Sequence, residues 1–191
     1  MKLIVGMSGA SGAIYGIRLL EALRVQGVET HLVISSGAQR TIELETSYRV
    51  AEVQSMASRV YDHADIAAAI SSGSFLTDGM VVIPCAIKSL SGIAHSYDDN
   101  LLIRAADVCL KERRKLVLVV RETPLHVGHL RLMLAVAEMG GVILPPVPAF
   151  HYMPKTLDDV IDHTIGKVLD HWGLDTRLVR RWRGAEGDRQ G

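Results

Sequence analysis

Lys2-Leu3-Ile4-Val5-Gly6-Met7-Ser8-Gly9-Ala10-Ser11-Gly12-Ala13 decides the fold. A short apolar run meets small residues at once, the pattern of a buried strand that ends in a tight turn. Beyond it, from 14 to 26, Ile17, Leu20 and Leu23 share one helical face while Arg18, Glu21 and Arg24 lie elsewhere. Gly27 stands where such a helix stops. Strand, small-residue turn and amphipathic helix make the opening unit of a wound α/β sheet.

The rest of the chain repeats that alternation. Further strands are expected at 30–34, 80–83, 116–120 and 142–144, with the first at 2–7. The stretch 38–69 reads as helical pieces with looser connections, and Ser71-Ser72-Gly73-Ser74 as a loop. Helices are expected from about 90, over 100–111 and over 127–139. A last one, capped by Thr156 with Asp159 at the capping-box position, runs to 172. Pro145, Pro146 and Pro148 impose an extended segment before it. Five strands separated by helices predict an α/β fold: three layers, doubly wound, around a parallel sheet. No internal repeat is visible. One domain is expected over 1–184, with 185–191 a disordered tail.

Composition narrows the function. The 191 residues carry 21 Lys+Arg and 21 Asp+Glu, a formal net charge of zero, so the basic excess of a duplex-binding protein is missing. Zero charge also permits self-association. No apolar run approaches the ~18 residues that span a bilayer, and the first seven residues reach a turn too early for a signal peptide. Cys85 and Cys109 match no CxxC pattern and read as buried apolar groups in a reducing cytoplasm.

In a wound sheet, ligands bind beyond the carboxyl ends of the strands. Ser8 to Ala13 follow the first strand, Ser35-Ser36 the second, Pro84-Cys85-Ala86-Ile87-Lys88-Ser89 the third, and Arg121-Glu122 the fourth. Small-residue turns that open helices, with hydroxyls and cations beside them, point to a phosphate-bearing ligand. The first turn is Gly6-x-x-Gly9-x-x-Gly12 instead of GxGxxG, and no acid ends the second strand to hold a ribose. GxxxxGK[ST] is absent too, so a mononucleotide such as FMN fits better than NAD or ATP.

Arg104 sits among Leu101, Leu102, Ile103, Ala105 and Ala106, and a charge there must be paired or ligand-bound. A structural salt bridge and a ligand contact are both open. Lys111, two turns further on, begins the run Lys111-Glu112-Arg113-Arg114-Lys115, a pattern typical of a solvated helix end. Glu45 is a possible acid/base. His126 and His129 form an HxxH pair with no third metal ligand evident nearby, so no metal is expected. Arg177, Arg180, Arg181 and Arg183 surround Trp182, a cluster open to nucleic-acid contact or to capping a neighbouring subunit, with the zero net charge favouring the second.

Several motifs then stand in order: Val5 to Ala13, Glu43-Leu44-Glu45-Thr46, Ile70-Ser71-Ser72-Gly73-Ser74-Phe75, Pro84 to Leu90, Arg104-Ala105-Ala106-Asp107-Val108 with Lys111-Glu112-Arg113, and Leu118-Val119-Val120-Arg121-Glu122-Thr123-Pro124-Leu125. With these the chain resembles the UbiX/Pad1 family of flavin prenyltransferases, from its first residue to about Gly184, closest to the branch once described as small subunits of phenolic-acid decarboxylases. The resemblance implies a flavodoxin-like Rossmann subunit in a dodecamer, with sites at subunit junctions. It implies joining dimethylallyl monophosphate, or the diphosphate, to reduced FMN: prenyl C1 bonds to flavin N5, phosphate leaves, and closure onto C6 yields prenylated FMN. That product serves a UbiD-type decarboxylase.

The resemblance also assigns residues. Gly9, Ala10, Ser11, Ser35, Ala86, Ile87, Lys88 and Ser89 would cradle FMN, with Arg104 touching it. Glu45 and Ser11 would act at the reacting flavin edge. Lys111, Arg121 and Glu122 would hold the leaving phosphate, joined by His151 and Lys167, and Trp182 would cover the allyl cation with its π face. Three places depart from the family pattern. His151 stands where a tyrosine is usual, with Tyr152 next to it; Lys167 replaces an arginine; Ala86 and Ile87 differ in the third turn. The competing readings are an FMN carrier without turnover, a cysteinyl-peptide-decarboxylase-like flavoprotein, whose substrate-motif Asn is missing from Ala149 to Pro154, and a direct phenolic-acid decarboxylase.

Overall fold

The computed structural model describes residues 1–176 and 178. Contacts group the chain into two units, Met1–Pro145 and the residues from Pro146 onward.

The first unit is built on a parallel sheet. Its strands are β1 (Lys2–Met7), β2 (Glu29–Ile34), β3 (Arg59–Tyr61), β4 (Met80–Cys85), β5 (Leu116–Val120) and β6 (Val142–Ile143). They lie in the order β3-β2-β1-β4-β5-β6. Without the three-residue edge strand β3, that is the flavodoxin order, and the direction of winding reverses between β1 and β4. A crevice at such a reversal is where a wound sheet binds its ligand.

Helices α1 (Ala13–Val25), α2 (Ser36–Glu45), α3 (Val50–Gln54), α4 (Ile87–Ala94), α5 (Leu101–Lys111) and α6 (Val127–Glu138) complete the unit. Strand side chains alternate between two faces. Ile4, Val33, Met80, Val82, Leu116 and Leu118 pack with Leu90, Ile93, Leu102 and Ala106 of α4 and α5 in one buried cluster. On the other face α1 comes down closely: a Cβ on Gly16 would stand 2.6 Å from Met7 Cε and 2.7 Å from the Ile83 carbonyl oxygen. Glycine at 16 is therefore what lets α1 rest on the β1–β4 junction.

Most expected elements are present, with one correction. The stretch 38–69, read as helical pieces, contains α2 and α3 but also strand β3. Among the described residues β3 pairs only with β2, and Val60 at its centre is exposed. Three residues on a solvated edge leave no periodicity to read. The sheet consequently has six strands where five were expected.

The second unit holds α7 (Leu157–Asp170). Its capping box forms as expected: Thr156 Oγ1 accepts from the Asp159 amide at 3.1 Å, and the Asp159 carboxylate accepts from the Thr156 amide at 2.9 Å. The arginines around Trp182, Trp182 itself and the expected tail 185–191 lie outside the described residues. Among the described residues no helix is long and apolar enough to cross a membrane.

Candidate active site at the carboxyl edge of the sheet

Ser8 ties the two strands at the winding reversal. Its amide and its hydroxyl both donate to the Pro84 carbonyl, at 3.1 and 3.0 Å, and its oxygen accepts from the Ala86 amide at 2.7 Å. Proline 84 has no amide of its own, and the β4–β5 register shifts between Val82 and Cys85. Ser8 is fully buried, so this stitch is a fixed base on which the two turns after β1 and β4 stand.

The turn after β1 meets the turn after β2 without any side chain between them. A Cβ on Gly9 would lie 2.9 Å from Gly37 Cα, closer than real Cβ contacts come. Ser35 locks the second turn, its amide donating to the Met7 carbonyl at 2.9 Å and its hydroxyl accepting from the Ala38 amide at 3.1 Å. Gly12 has φ +98°, a conformation glycine adopts without steric cost. Its amide donates to the Glu45 carboxylate at 2.7 Å, and the Ala13 amide reaches the same oxygen at 3.4 Å. Glu45, the last residue of α2, thereby places its negative charge on the positive end of α1. Ser11, exposed, lies directly beside this contact in the chain.

After β4, Ala86 caps α4 with no side-chain hydrogen bond, so the first-turn amides there remain available to a ligand. Ile87 and Ser89 are half-buried and Lys88 is exposed. After β5, the Arg121 amide donates to the Cys85 carbonyl at 3.1 Å, which holds Arg121 beside the third turn. The Glu122 carboxylate accepts from the Thr123 amide at 3.0 Å, and Arg121 and Glu122 are both exposed. A floor free of side chains, helix ends and a cation thus share one edge. Phosphate and a flat ring system fit this set of donors.

Tyr15 belongs to the same edge and was not among the residues expected. It is half-buried on α1, its ring edge over the Gly12 Cα. Burial raises its phenol above the ordinary range, while the nearby Arg121 charge pulls the other way. The signal for it in the sequence is thin: an aromatic in the first turn of a helix.

Arg104 is ion-paired. Its Nε donates to the Ser71 carbonyl at 3.1 Å and its Nη1 to Asp98 at 2.9 Å and Asp107 at 3.5 Å. Of the two readings open at the sequence, the salt bridge is the one seen in the single chain.

Lys111 stands elsewhere. It closes α5 just before β5 begins, so it lies at the amino edge of the sheet, the length of β5 away from Arg121. There it pairs with Glu112. Arg114 next to it donates to the Phe75 and Gly73 carbonyls at 2.7 and 2.5 Å. An open groove of ≈ 600 Å³ at this edge is lined by Lys111, Arg113, Arg114 and Lys115 with Met139. One chain does not bring Lys111 and Arg121 together.

His126 caps α6, its Nδ1 accepting from the Gly128 amide at 3.0 Å, and its ring lies 3.6 Å from that of His129. Among the described residues no three His, Cys, Asp or Glu gather as a metal site. Cys85 and Cys109 are buried, and burial pushes both thiols up to about 12. Thiols held protonated in this way are poor nucleophiles.

In the second unit, Tyr152 stacks flat on His163 at 4.7 Å, and its hydroxyl donates to the Asp159 carbonyl at 3.2 Å. His151 meets both rings edge-on, at 5.5 and 5.8 Å. Lys167 is exposed, 3.7 Å from Asp170. Burial, then the His151 and Lys167 charges, lower the His163 pKa.

Comparison with known proteins adds to this geometry. Residues 1–169 match the model of the family described as Flavoprotein. A flavin prenyltransferase UbiX of Salmonella typhimurium is 63% identical over 187 residues, 96% of this chain and 99% of that protein. A UbiX crystal structure in complex with FMN and dimethylallyl pyrophosphate superposes with TM-score 0.95 at 50% identity, covering 96% of this chain and 97% of the other. A dodecameric FMN-dependent UbiX-like decarboxylase from Escherichia coli O157:H7 also gives 0.95, at 56% identity, covering 96% of this chain and 100% of that one. A peptidyl-cysteine decarboxylase, at 17% identity and TM-score 0.62, shares the fold alone.

Proposed function

The chain belongs to the UbiX family of flavin prenyltransferases, and from that premise we propose how its own residues carry out the reaction. The enzyme joins a dimethylallyl phosphate to reduced FMN and makes prenylated FMN for a UbiD-type decarboxylase. The contact that carries the reading is Gly9 against Gly37, a floor without side chains under the helix ends of the carboxyl edge. Bound reduced FMN supplies the N5 and C6 atoms that receive the prenyl group.

Gly9, Ala10, Ser11, Ser35 and Ala86 to Ser89 line the flavin. Glu45, held by the Gly12 amide, accepts a proton beside Ser11 in this reading. Arg121 and Glu122 receive the leaving phosphate, where cationic donors stabilise charge as it develops. Because Lys111 lies at the other end of β5, its part in that task requires a neighbouring copy, as in a dodecamer whose junctions form the sites. His151 and Lys167 are further phosphate contacts in this reading, and Trp182 the cover over the allyl cation. Arg104 contributes to flavin binding only if it exchanges one of its present partners. Residues 1–184 act as one functional domain, in the cytoplasm.

The test is anaerobic incubation with reduced FMN and dimethylallyl monophosphate, and separately the diphosphate, read by mass spectrometry. A flavin heavier by one prenyl unit is expected. Flavin unchanged in mass with both donors, despite tight binding, would instead favour the carrier reading.

A further inference from the structure

Tyr15 is a half-buried polar group at the carboxyl edge to which the reading above gives no task. Its position is fixed by two glycines. A Cβ on Gly12 would lie 3.0 and 3.2 Å from Tyr15 Cδ2 and Cε2, so the ring folds back over the left-handed turn. Gly16, the next residue, seats α1 against Met7 and the Ile83 carbonyl, at the β1–β4 junction. α1 therefore delivers Tyr15 to the end of β4, and the Arg121 amide is bonded to the Cys85 carbonyl at that same end.

Among the described residues neither polar head has a partner from the protein. The Tyr15 hydroxyl makes no hydrogen bond, and the Arg121 guanidinium no ion pair, among the described residues. Arg121 is close enough for its charge to act on the phenol, but burial outweighs it and keeps the phenol in its neutral, donating form. The neutral phenol can donate its O–H to an anion while the guanidinium donates beside it. An anion with several oxygens completes both at once.

We infer that Tyr15 and Arg121 form a two-point clamp on the phosphate of the prenyl donor, with the Tyr15 hydroxyl donating to an oxygen of the group that Arg121 holds. This deepens the function proposed above and rests on it. As the prenyl carbon–oxygen bond breaks, its electron pair stays on the phosphate oxygen, and both donors already face the charge that builds there. The flavin's own phosphate shares this chemistry, so the experiment must separate the two sources.

Tyr15→Phe keeps the ring over Gly12 and deletes only the hydroxyl. Loss of a hydrogen bond to a charged group predicts kcat/KM for dimethylallyl monophosphate about ten-fold lower. The affinity for FMN should stay within about two-fold, because the floor and the turn are intact. Tyr15→Leu, which removes the ring as well, should also lower Tm and loosen FMN. Titration of FMN-loaded protein with inorganic phosphate reads the clamp without turnover and should show weaker binding in Tyr15→Phe. Unchanged kcat/KM with weakened FMN binding would assign Tyr15 to the flavin phosphate and overturn the inference. Unchanged phosphate binding would overturn it as well. If the wild-type protein fails to prenylate flavin yet binds phosphate through Tyr15, the proposed function fails while the clamp stands.

Discussion

The Glu45 carboxylate accepts a 2.7 Å hydrogen bond from the Gly12 amide, joining the end of α2 to the start of α1 across the turn that carries Ser11. The carboxylate proposed as proton acceptor also holds this turn in shape. Glutamine can keep the second task and not the first. Glu45→Gln should slow single-turnover prenylation by about 100-fold. Its FMN affinity should change little. Equal losses in rate and in affinity would make Glu45 a purely structural cap.

The Gly9–Gly37 contact predicts the reverse pattern. Gly9→Ala places a methyl group 2.9 Å from the Gly37 backbone, and backbone at that distance must shift. FMN affinity measured by calorimetry should fall about ten-fold or more. Ser11→Val should weaken binding as well, by crowding the same turn. A Gly9→Ala protein that binds FMN normally would show that the two turns are not the floor of the site.

Lys111 and Arg121 sit at opposite edges of the sheet, so in the proposed assembly their shared phosphate is held by different copies. Lys111→Ala and Arg121→Ala should each be nearly inactive alone. Dissociated and reassembled together at equal ratio, they should regain about a quarter of wild-type activity, since about that share of junctions combines two intact residues. No recovery in properly mixed assemblies would place both residues in the same copy's site, or exclude one of them.

His31 gives the pH dependence of stability a direction. It is 1% exposed, its Nδ1 2.8 Å from the Tyr61 hydroxyl and its Nε2 3.0 Å from Glu29. A carboxylate only accepts, so Nε2 carries the proton and Nδ1 accepts from the phenol. Burial lowers the His31 pKa despite the Glu29 contact, which acts to raise it. The folded value then lies below the unfolded one, so the unfolded chain takes up a proton first. The His31 contribution is complete above the unfolded pKa and is lost as pH falls through that value toward the folded one. His63 and His163 shift in the same direction, also chiefly by burial. Tm should fall as pH drops from 7.5 to 5, and His31→Gln should flatten part of that slope. A Tm that rises over this range would contradict the assignment.

The sequence discloses what local pattern controls. Lys2–Met7 and its turn, the helix stop at Gly27 and the Thr156–Asp159 box are legible because each depends on neighbours a few residues away. Strand β3 is not, since Val60 faces solvent and pairing with β2 alone defines it. The residues proposed for the cradle stand after the carboxyl ends of β1, β2 and β4, where the sequence pattern puts them. Their arrangement is not legible there: Gly9 against Gly37, or Tyr15 near Arg121, arises from α1 crossing the β1–β4 junction. Lys111 shows the opposite case. The resemblance implies a place for it in the site, and only the fold reveals that it stands at the far edge of its own subunit.

The central claim is a flavin seat at the carboxyl edge with a phosphate clamp beside it. A crystal structure of the assembled protein with FMN and dimethylallyl monophosphate tests it most directly. The account predicts the flavin over the Gly9–Gly37 floor and the prenyl phosphate within hydrogen-bond distance of Arg121, with a neighbouring copy's lysine 111 closing the pocket. Flavin found in the amino-edge groove beside Arg114, or a prenyl phosphate remote from Arg121, would contradict it.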